Sequence, residues 1–186
     1  MTLAPIMESS RVREASTALA PLFRYPDHEY SRWLTRARRV LSELDPDAAR
    51  ALDAFAEDVS EVKPGELQAT YTSTFDLAPS CSPYLGVHLF GDEARDRARL
   101  LVGLRGEYAK RDTTTEQGEL PDHVAEVLSF ANEFGEEEWS DLVQLVLAPA
   151  LRAMDGLLSP STNPYRHLIA AARHLSAAAE PTGGES

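Results

Sequence analysis

Apolar residues recur every three or four positions along nearly the whole chain, and this spacing limits the fold more than any other feature of the sequence. Two clear examples are the sets Tyr30, Trp33, Leu34, Ala37, Leu41, Leu44 and Val124, Val127, Leu128, Ala131, Phe134. Residues at this spacing share one helix face, which has to be buried against another element. No stretch alternates apolar and polar residues in the manner of a half-buried strand. The sequence therefore predicts an all-α, single-domain helical bundle.

Prolines divide these stripes into separate helices. Pro26 is expected to end the first helix, and Asp27 to cap the second. Asp45-Pro46 and Asn163-Pro164 each place a capping side chain before a proline that a first helical turn tolerates, so each pair is expected to begin a helix.

Two further helix starts and one kink follow from the same reasoning. Asp92 is expected to begin the fifth helix, and the acidic run from Glu136 the seventh, which Pro149 should kink. These boundaries give about eight helices in one domain spanning residues 1–180, followed by a disordered tail at 181–186.

Two segments lack helical spacing. Residues 76–91 contain too much proline and glycine for a long helix and too many apolar residues for a solvated linker, so this segment is expected to pack on the protein. Residues 111–118 are polar and read as an exposed flexible loop, across which bundles can exchange helices. Either a monomer or a helix-swapped dimer is consistent with the sequence.

The charge balance narrows the range of partners. The 186 residues include 18 basic and 30 acidic ones, a net charge of -12. This charge disfavours binding to nucleic acid or anionic lipid and favours a basic partner, although many acidic proteins use charge only for solubility. The opening residues carry no secretory leader, no apolar run reaches membrane-spanning length, and the single Cys81 suits a reducing compartment. We expect a cytoplasmic protein without direct membrane insertion.

Glu119-Leu120-Pro121-Asp122-His123 is the most unusual stretch, because it places two carboxylates, a proline and a histidine directly before an apolar stripe. A helix that starts here explains Pro121 in its first turn and Asp122 as an acceptor for free N–H groups. It does not explain why Glu119 and His123 flank them. The second interpretation is a polar cluster at the mouth of a groove.

The residues offer little support for catalysis or metal binding. The five histidines lack a matching ligand set, Cys81 has no neighbouring base, and no phosphate-binding loop is present, so we expect no cofactor and no metal. A carboxylate and an imidazole beside apolar walls suit recognition of a ligand that is both basic and apolar. Tyr71, Phe75 and Tyr84 are candidates for those walls, with ordinary core packing as the alternative.

Several motifs together resemble the nitrate reductase delta subunit, the NarJ-type molybdenum cofactor assembly chaperones within the TorD/DmsD group. The resemblance lies in Tyr71-Thr72-Ser73-Thr74-Phe75-Asp76, in Pro83-Tyr84-Leu85, in Arg95 to Leu101 with Tyr108, and in the stretch Gly118 to Val124. It covers most of the chain and is clearest between Tyr71 and Phe134.

The resemblance implies a cytoplasmic chaperone and not an enzyme. Relatives bind the N-terminal peptide of a molybdoenzyme's catalytic subunit and assist cofactor insertion before membrane attachment; cofactor-delivery proteins are a further class of partner. By similarity, the peptide-binding residues would be Tyr71, Phe75, Asp76, Pro83, Tyr84, Glu119, Leu120, Pro121, Asp122 and His123. The alternatives are a chaperone of another oxidoreductase of the same class, a helical adaptor without a maturation role, or, third, an enzyme.

Overall fold

The computed structural model describes residues 3–91, 94–116, 118–159 and 161–179, and these residues form an all-helical bundle, as the sequence predicts. The helices are α1 (Leu3–Leu19), α2 (Tyr30–Ser42), α3 (Pro46–Val59), α4 (Pro64–Tyr71), α5 (Leu85–Phe90), α6 (Ala94–Ala109), α7 (Val124–Ser129), α8 (Glu136–Leu142), α9 (Ala148–Leu158) and α10 (Tyr165–Ala178). A 3-10 turn at Ala20–Phe23 extends α1 and another at Ala131–Glu133 follows α7, while π-helical turns extend α4 through Thr72–Asp76 and join α8 to α9 through Val143–Leu147.

Of the three expected caps, only Asp45 is the N-cap of its helix. The Asp45 carboxylate accepts hydrogen bonds from the N–H groups of Asp47 and Ala48, at 2.8 and 3.0 Å, and α3 begins at Pro46. Helix α10 begins directly after Asn163-Pro164, as predicted, but Pro164 is its N-cap, and the Asn163 side chain accepts the Tyr165 N–H at 3.0 Å. Asp27 instead accepts from the Glu29 N–H at 2.9 Å, and α2 begins only at Tyr30, so the prediction that Asp27 caps this helix is wrong. Its carboxylate stabilises the turn before the helix.

The centre of the bundle is α10, which packs against α3, α9 and α1. Leu168, Ile169 and Ala172 on this helix are completely or almost completely buried. At its start, the Tyr165 ring lies between Phe55 and Phe75, with ring centroids 5.5 and 5.0 Å away. Burial of each large apolar side chain contributes roughly 1.5–3 kcal/mol, so this helix is the main support of the fold.

Helices α8 and α9 are joined by a wider helical turn just before Pro149, the residue at which the sequence predicts a kink. The chain widens into a π-helical turn at Val143–Leu147, and Pro149 follows in the first turn of α9. A proline has no N–H for the next helical hydrogen bond, and prolines and π-helical turns are both common sites of helix kinks, so the kink at Pro149 stays a prediction.

The apolar segment 76–91 packs on the protein, as predicted, but it also contains the short helix α5, which the sequence did not indicate. Leu85 and Cys81 in this segment are buried, and α5 lies against α9 and α6. With α5 included, and with α8 and α9 counted as one continuous helix, the described residues contain nine helices where about eight were predicted.

Arg111 ties the polar loop after α6 to the protein at its first residue. Its guanidinium donates to the Glu107 carboxylate at 2.9 Å and to the backbone oxygen of Glu133 at 2.8 Å, and it stacks over the Phe134 ring at 4.4 Å. The expected start of a helix at Asp92 and the expected disordered tail at 181–186 lie outside the described residues. The single domain over 1–180 stays a prediction. None of the described helices is both long and apolar enough to cross a bilayer.

Candidate functional site

The sequence suggested that a helix begins at Pro121. In the structure, no helix begins there. Helix α7 begins at Val124, and His123 is its N-cap: the Nδ1 atom accepts the Ala125 N–H at 3.1 Å. Pro121 and Asp122 lie ahead of the helix in a turn that the His123 N–H closes by donating to the Leu120 oxygen at 3.1 Å. The prediction of a first-turn proline and histidine is therefore wrong by about three residues.

Extended pairing with a distant segment explains this late start. The Leu85 N–H donates to the Asp122 oxygen at 2.8 Å, and the Val124 N–H donates to the Pro83 oxygen at 2.9 Å, which makes one antiparallel bridge between Tyr84 and His123. The two rings meet edge to face with centroids 5.5 Å apart. Two segments that the resemblance singles out are thus direct neighbours.

Asp122 lies inside the protein and not at the rim of a groove, contrary to the expectation. Its side chain is fully buried, and its Oδ2 atom accepts from the Gly86 N–H and from Arg97 Nε, both at 3.2 Å. Its Oδ1 atom has no hydrogen-bond partner among the described residues. Asp122 therefore joins the motif to α5 and α6 and is not available to a ligand.

Three more of the predicted site residues are buried in the interior, whereas Tyr71 and His123, each only 4% exposed, line the pocket described below. Phe75 packs against Tyr165 in the core, Pro83 belongs to the bridge, and the oxygen of Pro121 accepts the Tyr108 hydroxyl at 3.0 Å. Leu120 and Tyr84 are half-buried. The Arg97 guanidinium lies 5.6 Å from the centre of the Tyr84 ring, which holds that ring beside His123.

The other four predicted residues, Tyr71, Asp76, Glu119 and His123, line a single pocket of about 240 Å³, which we call the acidic pocket. Its remaining lining residues are Arg24, Tyr25, Glu116 and Glu126. Four carboxylates therefore face one guanidinium. The sequence predicted the four lining residues that come from the end of α4 and from the segment before α7. It did not predict Arg24, Tyr25, Glu116 or Glu126.

Arg24 is neutralised within the pocket. It forms ion pairs with Glu116 and with Glu126, the latter at 2.9 Å, and it donates to the Ser129 hydroxyl at 3.2 Å. Glu126 is 1% exposed, and burial raises the pKa of its carboxyl against the opposing effect of Arg24. The pocket's one guanidinium is thus already engaged by two of its four carboxylates.

Of the four carboxylates in the acidic pocket, Asp76 and Glu119 form no ion pair with any described cation. Partial burial and then the negative charge of Glu119 raise the pKa of Asp76. Glu119 accepts the N–H of Leu120 at 2.8 Å, and a side-chain hydrogen bond to Glu119 is one of the causes that raise the pKa of Tyr84. Two neighbouring carboxylates without a cation attract a lysine or arginine side chain, and the surrounding tyrosines would cover its methylene groups.

His123 contributes a neutral hydrogen-bond donor. Burial lowers the pKa of its imidazole, with a smaller effect of Arg24 in the same direction and an opposing effect of Glu119. Because Nδ1 accepts a backbone N–H, the proton of the neutral ring is on Nε2. Burial, followed by the Glu119 carboxylate, also raises the pKa of the neighbouring Tyr84 to about 12, so that this phenol stays protonated.

Of the residues that the sequence reasoning missed, Glu126 had a detectable signal. It is a carboxylate within the otherwise apolar run Val124 to Leu128, where a charged residue needs a partner. Arg24 and Tyr25 gave no such signal, because a polar residue and a tyrosine are ordinary in the turn after a helix. In the structure, the Tyr25 ring lies 5.6 Å from that of Tyr71. Within the described ranges, no three His, Cys, Asp or Glu side chains are grouped to hold a metal ion.

Fold and site together define an all-helical domain with a small acidic pocket at the junction of α4, α7 and the turn after α1. The model of the nitrate reductase delta subunit family matches residues 41–171, and the chain belongs to this family. The resemblance inferred from its motifs is thereby confirmed.

Individual relatives agree with this assignment. The chain is 30% identical over 150 residues to the nitrate reductase-like protein NarX of Mycobacterium tuberculosis, a match that covers 81% of this chain and 22% of that protein. It is 27% identical over 151 residues to the nitrate reductase molybdenum cofactor assembly chaperone NarJ of Escherichia coli, covering 80% and 63%. A probable chaperone of the same name from Bacillus subtilis is 28% identical over 116 residues, covering 62% of each chain. The chain thus spans less than two thirds of the length of these relatives.

Proposed function

We propose that this protein is a chaperone that binds the N-terminal segment of the catalytic subunit of a molybdoenzyme, with respiratory nitrate reductase as the first candidate, and assists cofactor insertion before membrane attachment. One observation carries the proposal: two neighbouring carboxylates, Asp76 and Glu119, form no ion pair with a described cation. They lie in a pocket that Tyr71, Tyr25 and His123 also line. Such a pocket complements a segment that is basic at its start and apolar afterwards.

Family membership supports the same role. Two of the relatives are named as molybdenum cofactor assembly chaperones, a name that describes assistance to another protein and no reaction of their own. The proposal accordingly assigns no catalysis to this chain. A cytoplasmic location, an interaction with cofactor-delivery proteins, and the choice between monomer and helix-swapped dimer remain parts of the proposal.

The residues of the site divide into two roles under this proposal. Asp76, Glu119 and His123 contact the client, the first two through charge and the third through its Nε2–H. Asp122, Pro121 and Phe75 hold the pocket in place from inside the protein.

The test is whether the protein distinguishes immature from mature client. The tagged protein would be mixed with the nitrate reductase catalytic subunit of the same organism, prepared once without and once with its molybdenum cofactor, and the retained fraction measured. We expect retention of the cofactor-free subunit and at least about tenfold less of the loaded one, a difference of roughly 1.4 kcal/mol in binding free energy. Equal retention of both forms would indicate an adaptor and overturn the proposal.

A further inference from the structure

Helix α6 buries one side and leaves the other side open to solvent. Its inner side carries Leu104 and Tyr108, which are 4% and 2% exposed, and the half-buried Arg97. Among the described helices it packs mainly on α5, which has only six residues. The Tyr108 ring adds contacts with the rings of Phe130 and Phe134. A helix of 16 residues with so short a helical neighbour keeps a long outer side without a partner.

The outer side of α6 combines arginines with small apolar residues. Its members lie within about a third of the helix circumference, and all of them are exposed. They are Arg95, Ala98, Arg99, Val102, Arg105, Gly106 and Ala109, and we call this surface the basic face. Val102, in the middle of the surface, is 70% exposed. The basic face therefore offers an apolar contact between its cations.

The charge of the basic face is opposite to that of the protein as a whole, which has a net charge of -12. Residues 94–111 hold 6 of the 18 basic residues and only 2 of the 30 acidic ones, and none of the acidic ones belongs to the basic face. Arg95 and Arg105 form no ion pair with any described carboxylate. Arg99 pairs only with the exposed Asp96, at 3.1 Å, which solvent screens. Three guanidinium groups are thus available to a partner.

A groove at the C-terminal end of the basic face extends the surface. It measures about 510 Å³ and lies between α6 and the loop that follows. Its lining consists of Arg105, Tyr108, Ala109, Asp112 and the three residues Thr113 to Thr115. The Thr113 and Thr115 hydroxyls already donate to backbone oxygens, at 2.9 and 3.0 Å. Because its one cation and one carboxylate balance each other, the groove suits an apolar anchor side chain from a partner.

Three other occupants fit the basic face less well. A second copy docked across a two-fold axis would place the arginines of one face against those of the other. A helix that binds a lipid surface needs several large apolar side chains, and the basic face has only Val102. The basic start of the client segment, which suits the acidic pocket, would be repelled here.

On these grounds we infer that the basic face docks an acidic amphipathic helix of a partner protein, with carboxylates against its three arginines and apolar side chains against Val102 and in the groove. Arg95, Arg99 and Arg105 are spaced by about 6 and about 9 Å along the helix axis. A partner helix that lies alongside α6 matches them with carboxylates four and six residues apart. This surface is separate from the acidic pocket, and the inference does not depend on the proposed function.

A pair of synthetic peptides tests this contact. The first is a helical peptide of about 18 residues, or five turns, with glutamates at the matching spacing and leucines between them on the same face. The second is an isomer of the same composition with its glutamates spread around the helix. Calorimetry gives the affinities, and amide signals in NMR spectra show which residues of the protein are contacted.

The protein variants remove the same number of charges at two places. The face variant is Arg95→Gln with Arg99→Gln and Arg105→Gln. The matched control is Arg38→Gln with Arg39→Gln and Arg50→Gln, three exposed arginines of α2 and α3. Because all six side chains are exposed, both variants should stay folded, and circular dichroism checks this.

We expect the unmodified protein to bind the first peptide at micromolar concentrations and the face variant to bind it about tenfold more weakly, because three exposed ion pairs are lost. The control variant should bind it normally, and the isomer should bind every form of the protein poorly. Added salt should weaken the contact. The shifted amide signals should belong to α6 and to residues 112–115.

Equal affinity for the two peptides would show attraction between charges without docking and would overturn the inference. An equal loss in the control variant, or shifted signals away from α6, would overturn it as well. Two further results would assign the surface to another occupant and so contradict it. One is binding of phosphatidylglycerol vesicles that needs the three arginines, and the other is self-association that is lost in the face variant. Binding of the client's N-terminal peptide should be no weaker in the face variant, so the proposed function is tested separately.

Discussion

Gly86 and Asp122 are so close that no side chain fits between them: a Cβ atom placed on Gly86 would lie 2.8 Å from Asp122 Oδ2 and 2.9 Å from Arg97 Cγ. The same Oδ2 accepts the Gly86 N–H at 3.2 Å. The first turn of α5 thus rests directly on the buried carboxylate of the motif. This contact fixes the position of the segment that carries Glu119 and His123.

Gly86→Ala should therefore destabilise the protein by about 1–3 kcal/mol, the usual result of forcing an extra carbon into a packed site. Urea unfolding followed by circular dichroism measures the change. Gly106→Ala is the control, because an added Cβ there meets nothing within 4 Å and alanine is favoured over glycine in a helix. It should leave stability unchanged or raise it by up to about 1 kcal/mol. Equal effects of the two variants would contradict the close packing at Asp122.

Arg24→Gln should remove the cation that pairs with the buried Glu126. We expect a loss of about 2 kcal/mol at pH 7.5, less than for a fully buried pair because the Arg24 side chain is 24% exposed. Without Arg24 the pKa of Glu126 rises further above its ordinary value. The folded state then retains a proton that the unfolded state releases, so the deficit should shrink as the pH falls towards about 4.3.

The control for Arg24 is Arg38→Gln, which breaks the pair with Asp53 at 2.7 Å, where both side chains are at least half exposed. Its effect should not exceed about 0.5 kcal/mol at either pH, because solvent screens the pair. A deficit of Arg24→Gln that stays constant between pH 7.5 and 5 would show that Glu126 is not the group affected.

His123 should make stability depend on pH below neutrality. Burial lowers the pKa of the folded imidazole, whereas the unfolded one titrates near its ordinary value of about 6.5. As the pH falls through this window the unfolded state binds the proton first, so stability conferred by the neutral ring is lost. His123→Asn keeps a capping side chain but cannot titrate. Its stability should decline less than that of the unmodified protein between pH 7.5 and 5.5, and parallel curves would contradict a neutral, buried His123.

Cys81 should be unreactive while the protein is folded. It is 1% exposed, and burial raises the pKa of its thiol to about 12, so that hardly any thiolate is present at pH 8. We expect a chromogenic disulfide reagent to react at least about a hundredfold more slowly with the folded than with the denatured protein. In Ser80→Cys with Cys81→Ser the thiol moves to an exposed neighbouring position and should react rapidly.

The features that the sequence predicts well are those that depend on near neighbours in the chain. The apolar stripe of α10 and the Asp45 cap of α3 each follow from a few consecutive residues, and the structure confirms both. Helix α5 and the turn and bridge before α7 depend instead on one another, through hydrogen bonds between segments more than 35 residues apart.

The same distinction explains the errors at the site. A carboxylate before a helix is indistinguishable in sequence from a cap, and only the positions of Gly86 and Arg97 show that Asp122 belongs to the interior. Tyr71, Asp76, Glu119 and His123 were selected by resemblance, and the structure brings them to one opening. Their role in binding remains a prediction.

The most direct test of the central claim is the affinity of the client's N-terminal peptide for the variant Asp76→Asn with Glu119→Gln. Its control, Asp141→Asn with Glu133→Gln, removes the same two charges at exposed positions away from the pocket. The account predicts about tenfold weaker binding to the acid-pair variant only, and no further loss when the peptide's basic residues are replaced by glutamine. Equal affinity of the two variants for the natural peptide would contradict it.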